Sequence, residues 1–177
     1  MRPTVSWFNE LKHGHFSPAH DGGLHDPHGT LIDARTMVLL DEAREEAGVP
    51  FVCTSGFRSP AANAGAGGAT TSAHLPDRKT GIACAVDGYF VGWPLLEQLL
   101  HVMRFPFFGV GAYPYAPPGR DPGRAWTPVI HVDRKDRDKP YGAKVVWIRN
   151  AAGVYVYWPS EEFRLELAAI ARGAEVA

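Results

Sequence analysis

Two histidines and two acids are spaced so that they could do chemistry together. His74 lies in the stretch SGFRSPAANAGAGGATTSAHLPDRKTGIACAVD, which runs from Ser55 and ends on Asp87, and His131 stands beside Asp133 in VIHVD. Two imidazoles and one carboxylate are the donor set of a catalytic zinc site that keeps its fourth position for water. Such a centre acts as a Lewis acid and lowers the pKa of its water to about 7, giving a nucleophile for an amide carbonyl. It also needs a proton acceptor, a cationic or dipolar group for the developing oxyanion, and a groove for the substrate. Asp133 follows His131 by two positions, so both face the same way along a strand. It is a candidate general base, or a group that orients a ligand from behind. Arg58 offers a planar fork of donors for a carboxylate or carbonyl. Tyr113, Tyr115 and Trp126 could line the groove. Bland alternatives stand beside each: a loop histidine is most often a surface residue, Arg58 could tie the loop to the chain, and Asp133 could pair with Arg134 or Lys135.

The elements that must position these groups follow from period and punctuation. Residues 30–47 predict a helix, with Thr30 or Asp33 as its cap, apolar residues at Ile32, Leu39 and Leu40, and Gly48–Pro50 as its stop. Residues 49–54 predict a buried strand, and 56–73 a long glycine-rich loop of the kind that carries function. Residues 82–89 predict a strand with Ala83, Ala85 and Asp87 on one face and Cys84 and Val86 on the other. A helix is expected over 93–103 and strands over 107–113 and 128–132. Residues 144–148 and 154–158 predict a hairpin, followed by a helix from Ser160 to about Arg172. Residues 1–29 read as an irregular arm with a short helix around Ser6–Leu11. Five of the eight histidines fall there (His13, His15, His20, His25 and His28). No period fixes their geometry, so a surface arm is expected rather than a second metal site. The fold class is α+β, one domain with a largely antiparallel sheet and flanking helices.

Composition bounds the rest. A chain of 177 residues, 45% hydrophobic and 21% charged, suits one soluble domain with a proper core. A net charge of −1 argues against a dedicated nucleic-acid binder. The basic run at Arg134–Lys139 alternates in sign and reads as a solvated loop. The two cysteines, Cys53 and Cys84, have no metal-binding spacing and are expected to be free thiols. No stretch reads as a secretory signal or a membrane span, so the expectation is a cytoplasmic protein when made, without a membrane partner.

The motif run resembles the zinc D-Ala-D-Ala carboxypeptidase family of peptidoglycan peptidases. That group includes phage endolysins and is related to the Hedgehog signalling domain. The matching residues are Ser55-Gly56-Phe57-Arg58-Ser59, Asn63, Gly67-Gly68, Ser72-Ala73-His74, Gly81 and Ala85-Val86-Asp87, then Gly109-Val110-Gly111-Ala112-Tyr113 and the His131–Asp133 pair. The resemblance implies a Hedgehog/D,D-peptidase-like fold and one Zn²⁺ held by His74, Asp87 and His131. It implies Arg58 and Asp133 as catalytic groups, and Arg58, Ser72 and Tyr113 as substrate-binding groups. The expected substrate is a peptidoglycan stem peptide, cut next to D-alanine by a carboxypeptidase or a phage-type endopeptidase. A monomer released by phage lysis or carried in a virion would reach that substrate. The chain then divides into the arm, 1–29, and a peptidase domain, 30–177, with core motifs at 55–135 and the hairpin and closing helix at 143–174. Two departures from the family pattern are an insertion, PDRKTG, between His74 and Asp87, and Pro128 where some relatives carry a glutamate. They motivate an alternative, a zinc-binding or virion structural module of the same fold that binds cell wall without turnover.

Overall fold

The computed structural model describes residues 6–117, 125–136 and 144–174. Among them the chain forms four α-helices and a six-stranded mixed sheet. The strands are β1 (Phe51–Ser55), β2 (Ala85–Phe90), β3 (Gly109–Tyr113), β4 (Val129–Asp133), β5 (Val145–Arg149) and β6 (Tyr155–Tyr157). They lie in the order β1-β2-β4-β3-β5-β6. Every neighbouring pair is antiparallel except β3 and β5, which run parallel. The expected α+β architecture is therefore present.

The helices are α1 (Ala34–Ala47), α2 (Pro60–Gly65), α3 (Leu95–Val102) and α4 (Glu161–Ala174). α1 starts where the Asp33 carboxylate accepts the Thr36 N–H at 2.9 Å and ends at Gly48, whose φ of 67° is left-handed. α2 is a correction to the expected unbroken loop. Ser59 accepts the Ala62 N–H at 3.2 Å and Pro60 takes the first turn, so six residues gain a helix inside the loop.

One face of the sheet is the core. Val86, Val110, Ile130, Val132, Val146 and Ile148 are fully or nearly fully buried on it and cluster with Leu39 and Leu40 of α1, Leu99 and Val102 of α3 and Phe163 of α4. Alternation then sends the intervening side chains to the opposite face, where the chemistry sits.

The N-terminal segment is the second correction. From residue 6 onward it is anchored to the domain rather than loose: Trp7, Phe16 and Leu24 are each 0% exposed, while His20, His25 and His28 stay on the surface. Burying each such side chain is worth about 1.5–3 kcal/mol, which outweighs the poor local propensity of the stretch. Two buried acids fasten its backbone. Asp26 accepts the Trp7 indole N–H at 2.8 Å and the amides of Thr30, Leu31 and Ile32, and Asp41 on α1 accepts the amides of His13 and His15. The predicted short helix is a single 3-10 turn, Trp7–Glu10. Cys53 is a free buried thiol on β1, and burial pushes its pKa up.

Candidate active site

β2 and β4 are paired so that Asp87 lies opposite His131 and Ala85 opposite Asp133. Cross-strand partners share a face, so register alone brings one carboxylate and one imidazole together away from the core. The third group arrives from the loop. Cys84 donates its amide to the Ala73 carbonyl at 3.0 Å, which pins the end of that loop against the approach to β2 and lays His74 over Asp87. The insertion between them closes on itself. Asp77 accepts the amides of Lys79 and Thr80 at 2.9 and 3.0 Å, and Gly81 donates back to the Asp77 carbonyl at 2.8 Å. The extra residues bulge outward and leave the two donors in register.

The result is a compact cluster. His131 Nδ1 is 2.7 Å from Asp87 Oδ1, His74 Nε2 is 3.1 Å from the same oxygen, and the two ring nitrogens are 3.3 Å apart. One donor atom from each residue lies within 4.8 Å of the others, and all three residues are buried. It is the one such group found among the described residues. None of the five arm histidines joins it; His13 and His15 lie instead against Glu45 of α1.

The outer nitrogen of each imidazole fixes its tautomer. His74 Nδ1 is 2.6 Å from the Gly56 carbonyl, and His131 Nε2 is 2.9 Å from Asp133 Oδ2. Carbonyl and carboxylate oxygens only accept, so both outer nitrogens carry protons. With the outer nitrogens as sole donors, both inner nitrogens turn lone pairs toward each other and toward a carboxylate. That arrangement calls for a cation, and its composition is the donor set of a catalytic zinc site. The residues present therefore fit a metal ion.

Without a metal, a proton serves. Burial works against charging His131, but its hydrogen bonds to Asp133 and Asp87 outweigh it and the pKa is pushed up to about 9. Burial likewise works to raise the Asp87 carboxyl, yet the imidazoles of His74 and His131 hold it well below the usual carboxylate range.

The surrounding residues fall into place with some changes from expectation. Asp133 is 0% exposed, and its two oxygens accept from His131 Nε2 and from the Lys135 amide at 2.8 Å. It lies on the opposite side of the imidazole from the cluster, against the outer nitrogen. Arg58 spans the site edge, donating from Nε to Ser55 Oγ and from Nη2 to Asp87 Oδ2, both at 2.8 Å. A register shift between Cys53 and Ser55 aligns Ser55 with Asp87 and makes that bridge possible. Ser72 Oγ accepts the His74 amide at 3.3 Å and lies on the wall of an open cleft of about 1050 Å³. That cleft runs between α2, the 75–81 turn and Arg134–Asp136.

Tyr113 stands with its ring centroid 6.3 Å from that of His131. Burial and the nearby Asp87 charge push its pKa up, so its hydroxyl stays protonated near neutrality. Trp126 donates to the Tyr113 carbonyl at 3.3 Å, and the Tyr115 carbonyl accepts from Arg149 at 2.8 Å. Of the basic run, Arg134 lies over Phe108 and near Asp33, and Lys135 reaches the Thr71 carbonyl. Residues 137–139 of that run fall outside the described residues. His101 packs internally, with Nε2 2.8 Å from the Ala43 carbonyl.

One position escaped the sequence reading. Trp147 on β5 sits 5.1 Å from His131, ring to ring. It can lie there because its strand partner is Gly111, where an added Cβ would come within 2.5 Å of the indole. Gly56 of the Ser55–Ser59 motif is equally confined, since a Cβ there would meet the Leu24 carbonyl and Ile32 at 2.6 Å. The glycine of a GxGxY strand and an isolated strand tryptophan were the available signals, but their pairing needed the parallel register of β3 and β5.

An α+β domain that gathers two imidazoles and a carboxylate on the open face of its sheet has the architecture of a metal-dependent hydrolase. The chain belongs to the peptidase M15 family, whose model matches residues 9–113, more than half its length. The match takes in Arg58, His74 and Asp87 and ends at the close of β3, so β4, β5 and β6 lie beyond it. No curated protein matches the chain. Among the described residues no helix is long and apolar enough to cross a membrane.

Proposed function

We propose that the protein is a zinc-dependent peptidase that hydrolyses a peptide bond in bacterial peptidoglycan stem peptides, next to D-alanine. The observation that carries this reading is the pair of imidazoles whose outer nitrogens are anchored and whose inner nitrogens converge with Asp87, on a chain of a peptidase family. His74 Nε2, His131 Nδ1 and Asp87 Oδ1 would hold the metal. When bound, zinc supplies Lewis acidity and a water acidified to a pKa of about 7. Asp133 acts through His131, keeping its proton on Nε2 and raising its basicity as a ligand. Arg58 steadies the second Asp87 oxygen with Nη2 and leaves Nη1 to meet the substrate carbonyl as negative charge develops. Ser72 braces the backbone of His74, and the Tyr113 hydroxyl is a neutral donor toward the substrate.

The test is metal content of the purified protein and of its His74→Ala variant, with D-alanine release from a stem pentapeptide followed in parallel. About one zinc per chain with D-alanine release, both lost in the variant, is the expected result. Zinc without cleavage of the pentapeptide or of whole peptidoglycan would turn the reading to a binding or virion structural module of the same fold. No zinc in the wild type, even after it is added back, would overturn the ligand assignment.

A further inference from the structure

The open face of the sheet does not end at the metal cluster. His131 is paired across β4 and β3 with Gly111, Gly111 across β3 and β5 with Trp147, and Trp147 across β5 and β6 with Tyr157. In the adjacent row Arg149 is paired with Tyr155. All these side chains project to one side, because cross-strand partners share a face. The rings form a chain of contacts outward from the cluster. Trp147 and Tyr113 both lie against His131, and Tyr113 meets Tyr155 edge to face at 6.3 Å.

The inner members of this row are covered and the outer ones are not. Trp147 is 6% exposed, whereas Tyr155 and Tyr157 on the edge strand are 46% and 51% exposed. Core packing does not require these two tyrosines. The other face of the hairpin does that work through Val146, Ile148 and the half-buried Val156, which join the core cluster with Phe163 of α4. Among the paired positions of the two rows the charged groups are His131, 5% exposed, and Arg149, whose Nη2 donates to the Tyr115 carbonyl and whose guanidinium is stacked 5.0 Å from the Tyr113 ring.

We propose that Tyr155 and Tyr157, continued inward by Tyr113 and Trp147, form a platform for the N-acetylhexosamine strand to which the stem peptide is attached. The inference rests on the peptidoglycan reading above and extends it from the peptide to the glycan. A pyranose ring offers a face of C–H groups with slight positive charge, and an aromatic ring offers a face with negative quadrupole potential. The tyrosine hydroxyls add donors and acceptors for sugar hydroxyls and acetamides. The exposed outer rings, Tyr155 and Tyr157, are uncharged and suit an uncharged saccharide face better than a charged peptide. Continuity with the cluster places a sugar where the peptide it carries would lead toward His131. Trp147, Tyr155 and Tyr157 lie beyond the residues matched by the family model, and Tyr113 is the last residue within it.

The probe is denuded glycan: peptidoglycan strands stripped of stem peptides, on which no peptide hydrolysis can occur. Binding is measured by co-sedimentation and by tryptophan fluorescence for the wild type, Tyr155→Ala/Tyr157→Ala and Tyr155→Phe/Tyr157→Phe. Circular dichroism melts establish that each variant is folded. The expected result is saturable wild-type binding, weakened roughly tenfold in the alanine pair and largely kept in the phenylalanine pair, because stacking survives without the hydroxyls. No wild-type binding, or equal binding by the folded alanine pair, would overturn the platform. So would a wild-type dimer that the alanine pair abolishes, since the tyrosines would then serve self-association. Wild-type turnover of a sugar-free stem pentapeptide is read separately. Turnover without glycan binding removes the platform and leaves the peptidase, while tyrosine-dependent glycan binding without turnover of either the pentapeptide or whole peptidoglycan removes the peptidase and leaves the platform.

Discussion

Replacing Asp133 with asparagine tests the tautomer argument at its most exposed point. The wild-type carboxylate receives two donors, His131 Nε2–H on Oδ2 at 2.9 Å and the Lys135 amide on Oδ1 at 2.8 Å. An asparagine of the same shape has one acceptor oxygen and one NH₂ group, so one of the two donors must face another donor. If the oxygen stays with Lys135, the NH₂ faces His131 Nε2 and drives the proton to Nδ1, the nitrogen that should ligate the metal. If it turns to His131, the half-buried Lys135 contact is lost and the ligand loses the basicity a carboxylate confers. Leaving a buried donor without a partner costs about 1–3 kcal/mol, and loss of a group that orients a metal ligand typically costs 10–100-fold in affinity. Tenfold corresponds to about 1.4 kcal/mol, so the two scales agree. Zinc affinity is measured by competition with a chromophoric chelator for the wild type, Asp133→Asn and Asp133→Glu, with melts confirming that each is folded. The asparagine variant should bind zinc roughly 10–100-fold more weakly. An affinity within about twofold of wild type would refute the assignment of the proton to Nε2 and with it the orienting role of Asp133.

Two further outcomes follow from the same geometry. Gly111→Ala puts a Cβ within 2.5 Å of the Trp147 indole, which must shift to admit it. It should cost about 1–3 kcal/mol in urea unfolding, and an unchanged midpoint would show that the indole is free to move. The metal-free protein should also lose stability with rising pH. The folded-state pKa of His131 lies above its ordinary value of about 6.5, so its contribution is complete below about 6.5 and disappears as pH climbs through about 9. Melting temperatures of chelated protein across that window should fall more for the wild type than for His131→Gln; parallel curves would reject the charged His131 pair.

Much of the site was legible because its residues carry local signals. Asp33 and Gly48 bracket α1, β-branched runs mark β1 and β4, and the histidines and aspartate sit in short motifs that keep their order whatever the loops do. The misses have a common physical origin: each depends on contacts distant in the chain. Trp7, Phe16 and Leu24 show no period because they are buried one at a time by irregular backbone held on Asp26 and Asp41. α2 is only six residues and owes its existence to the Ser59 cap and Pro60. Trp147 gains its place through a parallel pairing between strands far apart in sequence, and the side on which Asp133 meets His131 depends on rotamer and packing, which spacing does not encode.

The sheet order has one more consequence. β2 and β4, which carry Asp87 and His131, are both internal strands, each hydrogen-bonded to neighbours on two sides, while the edges fall to β1 and β6. Internal strands over a packed core open last in native-state fluctuations. Two of the three donors, Asp87 and His131, are therefore set by the sheet itself, unlike the ligands of small zinc modules in which metal binding and folding are a single event. Removing the metal should silence such a centre while leaving its scaffold standing, so ion exchange becomes a chemical step rather than a refolding one.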